Sequence, residues 1–369
     1  MNRWIAVGCL LLFAGWLSAC GGDYRQKAIG DNDQIVVVVD SSRMTSNAVE
    51  AIHEVFGSSI ETLPGRGESL YRLQMRDFRT QDELEIIQKF KNIILVGPID
   101  DETNSSSLIR ALLSDEVEQS VRSGDRFAFP LRNHWYRDQW TLILTGTDDR
   151  TMAERIRQSA DRLVDDALQT EFRRWEEDVY ESYEQTAISD SLMSRYGWSV
   201  RMQHDYVQTV DTLQVVSFRR SLAENDRWMW GWWMDSVDNP DFVTPDWINA
   251  TRDSVMERYV QGTREGSYIT TEYRRPVVTE QLEDTGRLTG WETLGTWRMT
   301  GDFMGGPFVN FTWYDPESER LFMIEYGQFA PSVAKRRFVQ QFRAMGRTFR
   351  ADSTFGVSDY PESYIRSQP

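Results

Sequence analysis

Cysteine is almost absent: the 369 residues hold two, Cys9 and Cys20. Cys9 sits inside an apolar N-terminal run, Ile5 to Trp16, so once that run is removed Cys20 has no second thiol to pair with. Disulfides and cysteine-ligated metal are thereby excluded. Histidine is nearly as scarce: His53, His134 and His204 stand far apart, with no His-Glu-x-x-His pattern, and no metal site is expected. Positive charge is short as well. Against 57 Asp and Glu there are 41 Lys and Arg, of which four are lysine (Lys27, Lys89, Lys91 and Lys335), giving a formal charge of −16. Such a surface repels nucleic acid and anionic headgroups, so no nucleic-acid partner is expected. Also missing are a Gly-x-Ser-x-Gly elbow, a Walker loop and a dinucleotide fingerprint, which removes the commonest hydrolase and nucleotide-binding signals and leaves no cofactor to expect.

What is present begins with an address. Arg3 precedes the apolar run, and Leu17-Ser18-Ala19-Cys20 follows it, then Gly21-Gly22. The run is shorter than the roughly 20 residues a membrane helix needs, and small residues before a cysteine mark a cleavage point. The segment resembles the lipobox of bacterial lipoproteins. That resemblance implies a signal peptide over residues 1–19 and a mature chain starting at Cys20, its thiol diacylated and its amine acylated with chains such as palmitate. Several chains anchor far more firmly than one. Loss of Arg3 takes the charge from −16 to −17, because residues 1–19 contain no acid. Gly21 is not an acidic retention residue, and Asp23 stands alone where surface export would want an acidic run. The expected location is the outer membrane, facing the periplasm.

With 40% hydrophobic and 12% aromatic residues, the mature chain has enough apolar side chains for one or two cores. Residues 20–34 read as a tether. Residues 35–187 read as an α/β module: buried strands at Ile35–Val39 and Ile93–Val96, helical spacing from Ser46 to Phe56 and around Leu108–Val121, and further strands at Leu70–Phe78, Phe127–Phe129 and Trp140–Leu144. The module ends in one long helix capped by Thr147 and running to about Tyr183, with Met152, Ile156, Ala160, Leu163, Ala167, Phe172, Trp175 and Val179 as its apolar stripe. Residues 188–350 read as an antiparallel sheet with helices on one face. Its helices start at Thr244-Pro245 and near Pro331. The overall expectation is α+β, with a poorly ordered tail over 351–369.

Several short motifs occur in the order found in a family of Bacteroidota envelope lipoproteins known only as a domain of unknown function. They are Asn92-Ile93-Ile94-Leu95, Arg252-Asp253-Ser254 followed by Tyr259-Val260-Gln261-Gly262, Gly266-Ser267-Tyr268-Ile269-Thr270-Thr271-Glu272, Met304-Gly305-Gly306-Pro307-Phe308, and Ala330-Pro331 with Lys335-Arg336-Arg337. The chain resembles that family over nearly its whole mature length. The resemblance implies an envelope lipoprotein and brings no catalytic residue with it.

Three constellations are candidates for chemistry or binding. In Trp228-Met229-Trp230-Gly231-Trp232-Trp233, a strand places Trp228, Trp230 and Trp232 on one face and Met229 and Trp233 on the other. Three indoles in a row can hold a sugar, a peptide or a lipid chain, or can form a helix-covered core. Gly231 permits close approach from the opposite face. Arg219-Arg220, Arg252-Asp253 and Lys335-Arg336-Arg337 can clamp a carboxylate or phosphate, or can pair within the fold. Gly305-Gly306 can aim backbone N–H groups at an anion as an oxyanion loop, or can make a tight turn into a strand. The leading expectation is a non-catalytic binding or assembly module, tethered to the membrane and meeting an envelope protein or a small molecule. The alternative is an envelope hydrolase with its site near Gly305 and Gly306.

Overall fold

The computed structural model describes residues 23–65, 67–212, 214–262, 264–283 and 285–361. The segment expected to be a signal peptide, Cys20 with the lipobox-like residues before it, and the last residues of the expected tail lie outside the described residues.

The first half alternates strands and helices in chain order: β1 (Gln34–Val38), α1 (Asn47–Phe56), β2 (Arg72–Arg76), α2 (Gln81–Gln88), β3 (Asn92–Pro98), α3 (Asn104–Leu112), α4 (Asp115–Arg122), β4 (Ala128–Arg132) and β5 (Trp140–Gly146). The strands form one sheet in the order β2-β1-β3-β5-β4, parallel at β1/β3 and β3/β5 and antiparallel at β4/β5. Parallel central strands must bury both faces, and β3 and β5 are buried at every position. Their continuous apolar runs follow from this. Local chemistry sets the helix starts: Thr80 and Glu83 form a reciprocal capping box on α2, and Thr103 and Ser114 cap α3 and α4.

The expected long helix is two helices, α5 (Asp149–Gln158) and α6 (Ala160–Tyr180). Ser159 leaves the helical region at ψ 15°, while its N–H still reaches Arg155 O and its carbonyl still accepts from Leu163 N–H. The cap also falls one residue later than expected: Asp148 Oδ1, not Thr147, accepts the Thr151 N–H at 2.9 Å.

The second half contains α7 (Thr186–Tyr196), β6 (Trp198–Ser199), β7 (Val207–Thr212), β8 (Val215–Arg220), β9 (Asp226–Met234), α8 (Pro245–Tyr259), β10 (Ile269–Thr271), β11 (Val278–Gln281), β12 (Thr289–Met299), β13 (Gly305–Asp315), β14 (Arg320–Phe329), α9 (Arg336–Gly346) and β15 (Arg350–Ala351). Eight strands make an antiparallel sheet in the order β10-β12-β13-β14-β9-β8-β7, with β11 added on β12. The α+β class holds.

The placing of the helices differs from expectation, because helices cover both faces of this sheet. One face packs Met229, Trp233, Phe311, Phe322, Ile324 and Tyr326 against Phe338, Phe342 and Met345 of α9, with Val179 and Tyr180 of α6. The other packs Trp230, Trp297, Phe308 and Met323 against Ile248, Val255 and Met256 of α8. Both sets of alternating side chains are apolar, so a sheet with one solvated face would expose half of them.

By compactness the chain divides into two units: residues up to Ser46 with Gln74–Met152, and Asn47–Leu73 with the rest from Ala153 onward. Helices α5 (from Ala153) and α6 thus belong with the larger sheet. The tail is ordered further than expected. After β15, which pairs with β6, Phe355 and Tyr360 are buried, and the Tyr360 hydroxyl donates to Asp235 at 2.9 Å and accepts from Arg320 at 2.7 Å.

Candidate functional site

β9 is an interior strand of the larger sheet, between β14 and β8, and its residue alternation sends Trp228, Trp230 and Trp232 to the α8 face. Trp230 is 1% exposed and lies in register between Glu325 and Ser217. Trp228 and Trp232 are half-buried. Glycine makes room for this row. A Cβ on Gly327, opposite Trp228, would stand 2.4 Å from the indole, and one on Gly231 would stand 2.3 Å from Trp198 on the opposite face. The row continues beyond the strand. Trp228 meets Trp297 edge-on at 5.2 Å, Trp232 lies 6.4 Å from Trp247 of α8, and Trp247 meets Phe242 edge-on at 5.1 Å. Phe242 is 39% exposed, so this aromatic line runs from the core to solvent.

Arg252 and Asp253 belong to α8, which covers the same face, and their hydrogen bonds are directed into the fold. The fully buried Arg252 guanidinium donates twice to Glu325, at 2.7 and 2.9 Å, and to Asp253 and Thr271, at 3.0 Å each, and stacks over Phe308 at 3.9 Å. Asn310 adds a donor to Glu325 at 3.2 Å. Burial pushes the Glu325 carboxyl above its ordinary value, and the opposing pull of Arg252 offsets only part of this. Asp253 accepts from the Thr271 N–H and hydroxyl and from the Thr270 and Tyr273 hydroxyls. This network ties α8 to β14, β13 and β10. Lys335-Arg336-Arg337 resolves in the same way at Arg336, whose guanidinium makes a bidentate pair with buried Glu171 at 2.8 Å on both arms. A third buried carboxylate, Glu292, accepts from Arg343 and Arg347 at 2.7 and 2.6 Å.

Gly305 and Gly306 are neither a loop nor a turn. They open β13 in register with Arg298 and Trp297. A Cβ on Gly306 would lie 1.9 Å from Gln328 O and 2.9 Å from Trp297 Nε1. The missing side chain lets the Trp297 indole lie across the strand and donate to Gln328 O at 3.2 Å. Close approach of backbone and indole accounts for the glycine.

The structure therefore gathers Trp228, Trp230, Trp232, Arg252, Asp253 and Gly306 on one side of one sheet. It leaves Trp228 and Trp232, but not Trp230, as indoles with surface to offer. Phe242 and Trp247, which extend the row, went unread in the sequence because Trp247 falls in the first turn of a capped helix. Two aromatics five apart across that cap were the available signal. Among the described residues, no group of three His, Cys, Asp or Glu could hold a metal ion.

No curated protein matches the chain. Solved structures overlap it loosely. The Saccharomyces cerevisiae Ran-binding protein Mog1p overlaps at 6% identity and TM-score 0.29, covering 45% of this chain and 94% of its own. Human StAR-related lipid transfer protein 5 overlaps at 14% identity and TM-score 0.22, covering 49% and 93%. A Bacteroides thetaiotaomicron protein overlaps at 9% identity and TM-score 0.23, covering 42% and 45%. Two family matches divide the chain near the boundary between its halves: residues 28–180 match the domain of unknown function DUF8532, and residues 185–348 match the domain of unknown function DUF4837.

Proposed function

We propose that this chain is a lipid-anchored, non-catalytic binding or assembly module of the bacterial envelope. Acylated Cys20 would hold it on the periplasmic side of the outer membrane. There it would offer the aromatic row of Trp228, Trp232, Trp247 and Phe242 to an envelope protein or an apolar small molecule. The lipobox residues Leu17-Ser18-Ala19-Cys20 support the anchor. The observation that carries the binding reading is the exposed end of the row, where Phe242 packs edge-on against half-buried Trp247. Neighbouring charge is consumed within the fold by the Arg252–Glu325 and Asp253–Thr271 contacts, so recognition here rests on ring faces and apolar area. The alternative of a hydrolase at Gly305 and Gly306 has no such support, because both glycines are committed to strand pairing.

Titration with the apolar fluorescent probe N-phenyl-1-naphthylamine tests this reading. Folded wild type should bind the probe, and Trp232→Ala and Phe242→Ala should each weaken binding roughly tenfold, the equivalent of about 1.4 kcal/mol. Equal binding by wild type and both variants, or no uptake by folded wild type, would overturn the aromatic row as a binding surface.

A further inference from the structure

We infer that the face of β9 opposite the tryptophan row holds a site for a compact oxyanion of the phosphate or sulfate type, built from Arg220, Arg227, Tyr206 and His204. The register sets it up. Arg220 of β8 stands directly opposite Arg227 of β9, on the face carrying Phe218 and Met229. Like charges placed directly opposite each other destabilise a sheet. Arg219, on the other face, has Asp226 as a carboxylate partner. Arg252, Arg320 and Arg336, buried in the same unit, each hold a carboxylate too.

Arg227 has none among the described residues, although it is only 7% exposed. It touches the neutral amide oxygens of Asn225 at 3.3 Å and Gln341 at 3.5 Å and the Phe338 ring at 4.5 Å. Burial, with Arg220 and Arg337 nearby, brings its guanidinium down to about 10. One carboxylate comes near Arg220, that of Asp205, at 3.7 Å and largely exposed.

The hydrogen-bond inventory points the same way. Arginine has no acceptor, so the 3.1 Å contact between Arg220 Nη2 and His204 Nε2 makes that nitrogen the acceptor and leaves the proton on Nδ1. His204 Nδ1, Arg220 Nε and the hydroxyls of Tyr206 and Tyr326 are then four buried donors with no partner among the described residues. The acceptors without a partner there, Gln203 Oε1 and Gln328 Oε1, are neutral amides, and Asp205, which reaches Arg220 and His204 from the exposed side, offsets at most one of the two guanidinium charges. A cluster with surplus positive charge and surplus donors is completed by a guest that carries negative charge and only accepts. The side chains of Arg220 and His204 remain 12% and 32% exposed, which opens the cluster to solvent along this edge.

Calorimetric titration of the full chain in detergent with inorganic phosphate tests the site, alongside thermal melts in phosphate and in chloride at equal ionic strength. Wild type should bind phosphate and melt higher in phosphate than in chloride. Arg220→Gln and Arg227→Gln should each weaken binding by roughly tenfold or more. Arg219→Gln, on the opposite face, should bind as wild type. Should Arg227→Gln lose its cooperative melt, the more exposed Arg220→Gln decides. A second arm uses short-chain phosphatidic acid below its micelle concentration: binding of this lipid but not of phosphate keeps the site and identifies the source as a lipid headgroup. No heat and no difference in melting for either ligand, or equal loss in Arg219→Gln and Arg220→Gln, would overturn the assignment.

Discussion

Replacing Trp230 by alanine removes an indole that is 1% exposed and wedged on the α8 face among Val215, Trp297, Phe308 and Met323. A tryptophan side chain buries roughly 200 Å², which at about 25 cal/mol per Å² corresponds to about 5 kcal/mol. Alanine keeps a part of that, and the change also removes an indole N–H that has no partner among the described residues. A net loss of about 3 to 4 kcal/mol remains, in line with tryptophan truncations in packed cores. For a unit of this size, the melting temperature should fall by roughly 7 to 15 °C. Trp232→Ala, at a half-buried position, should fall by about half as much. Far-ultraviolet circular dichroism melts of the two variants beside wild type measure both. A shift of under about 2 °C for Trp230→Ala would refute the reasoning, because no packed indole can be lost so cheaply.

Glu292 gives a pH prediction with a definite sign. Burial acts to raise its carboxyl, but Arg343 and Arg347 more than offset this and hold it at about 2, against 4.5 for the free group. A depressed folded value contributes stability that is present above about 4.5 and lost as pH falls toward about 2. Over that window wild type should lose roughly 3 kcal/mol that Glu292→Gln does not, as read from urea unfolding at several pH values. Gly306→Ala should cost about 1 to 3 kcal/mol or more, because its Cβ meets a backbone oxygen that cannot yield without shifting β14. A Gly306→Ala melt equal to wild type would return these glycines to the open-loop reading.

The sequence carried local structure well wherever the cause was local. Thr244 with Pro245 marked the start of α8, where Thr244 accepts from the Trp247 N–H, and strand alternation placed Trp230 and Trp233 on opposite faces. Helix α7 was missed because only Leu192 and Tyr196 of its eleven residues are buried, which leaves too thin a stripe to read after an acidic run. The second covered face of the sheet was missed for a different reason. Tryptophan and methionine fall on both parities of β9, and one strand alone does not say what lies above it. Partners far apart in sequence were beyond reach: nothing local links Arg336 to Glu171, 165 residues away, or Arg252 to Glu325. The same holds for the opposition of Arg220 and Arg227, which becomes visible only once the register is known.

The central claim, a lipid-anchored envelope module, is tested most directly at Cys20, which lies outside the described residues. The measurement is metabolic labelling of expressing bacteria with an alkyne fatty acid, followed by detergent-phase partition of wild type and Cys20→Ala. Wild type should carry the label and enter the detergent phase, while Cys20→Ala should carry none and remain in the aqueous phase. An unlabelled wild type, or a Cys20→Ala variant that keeps its label, would contradict the account.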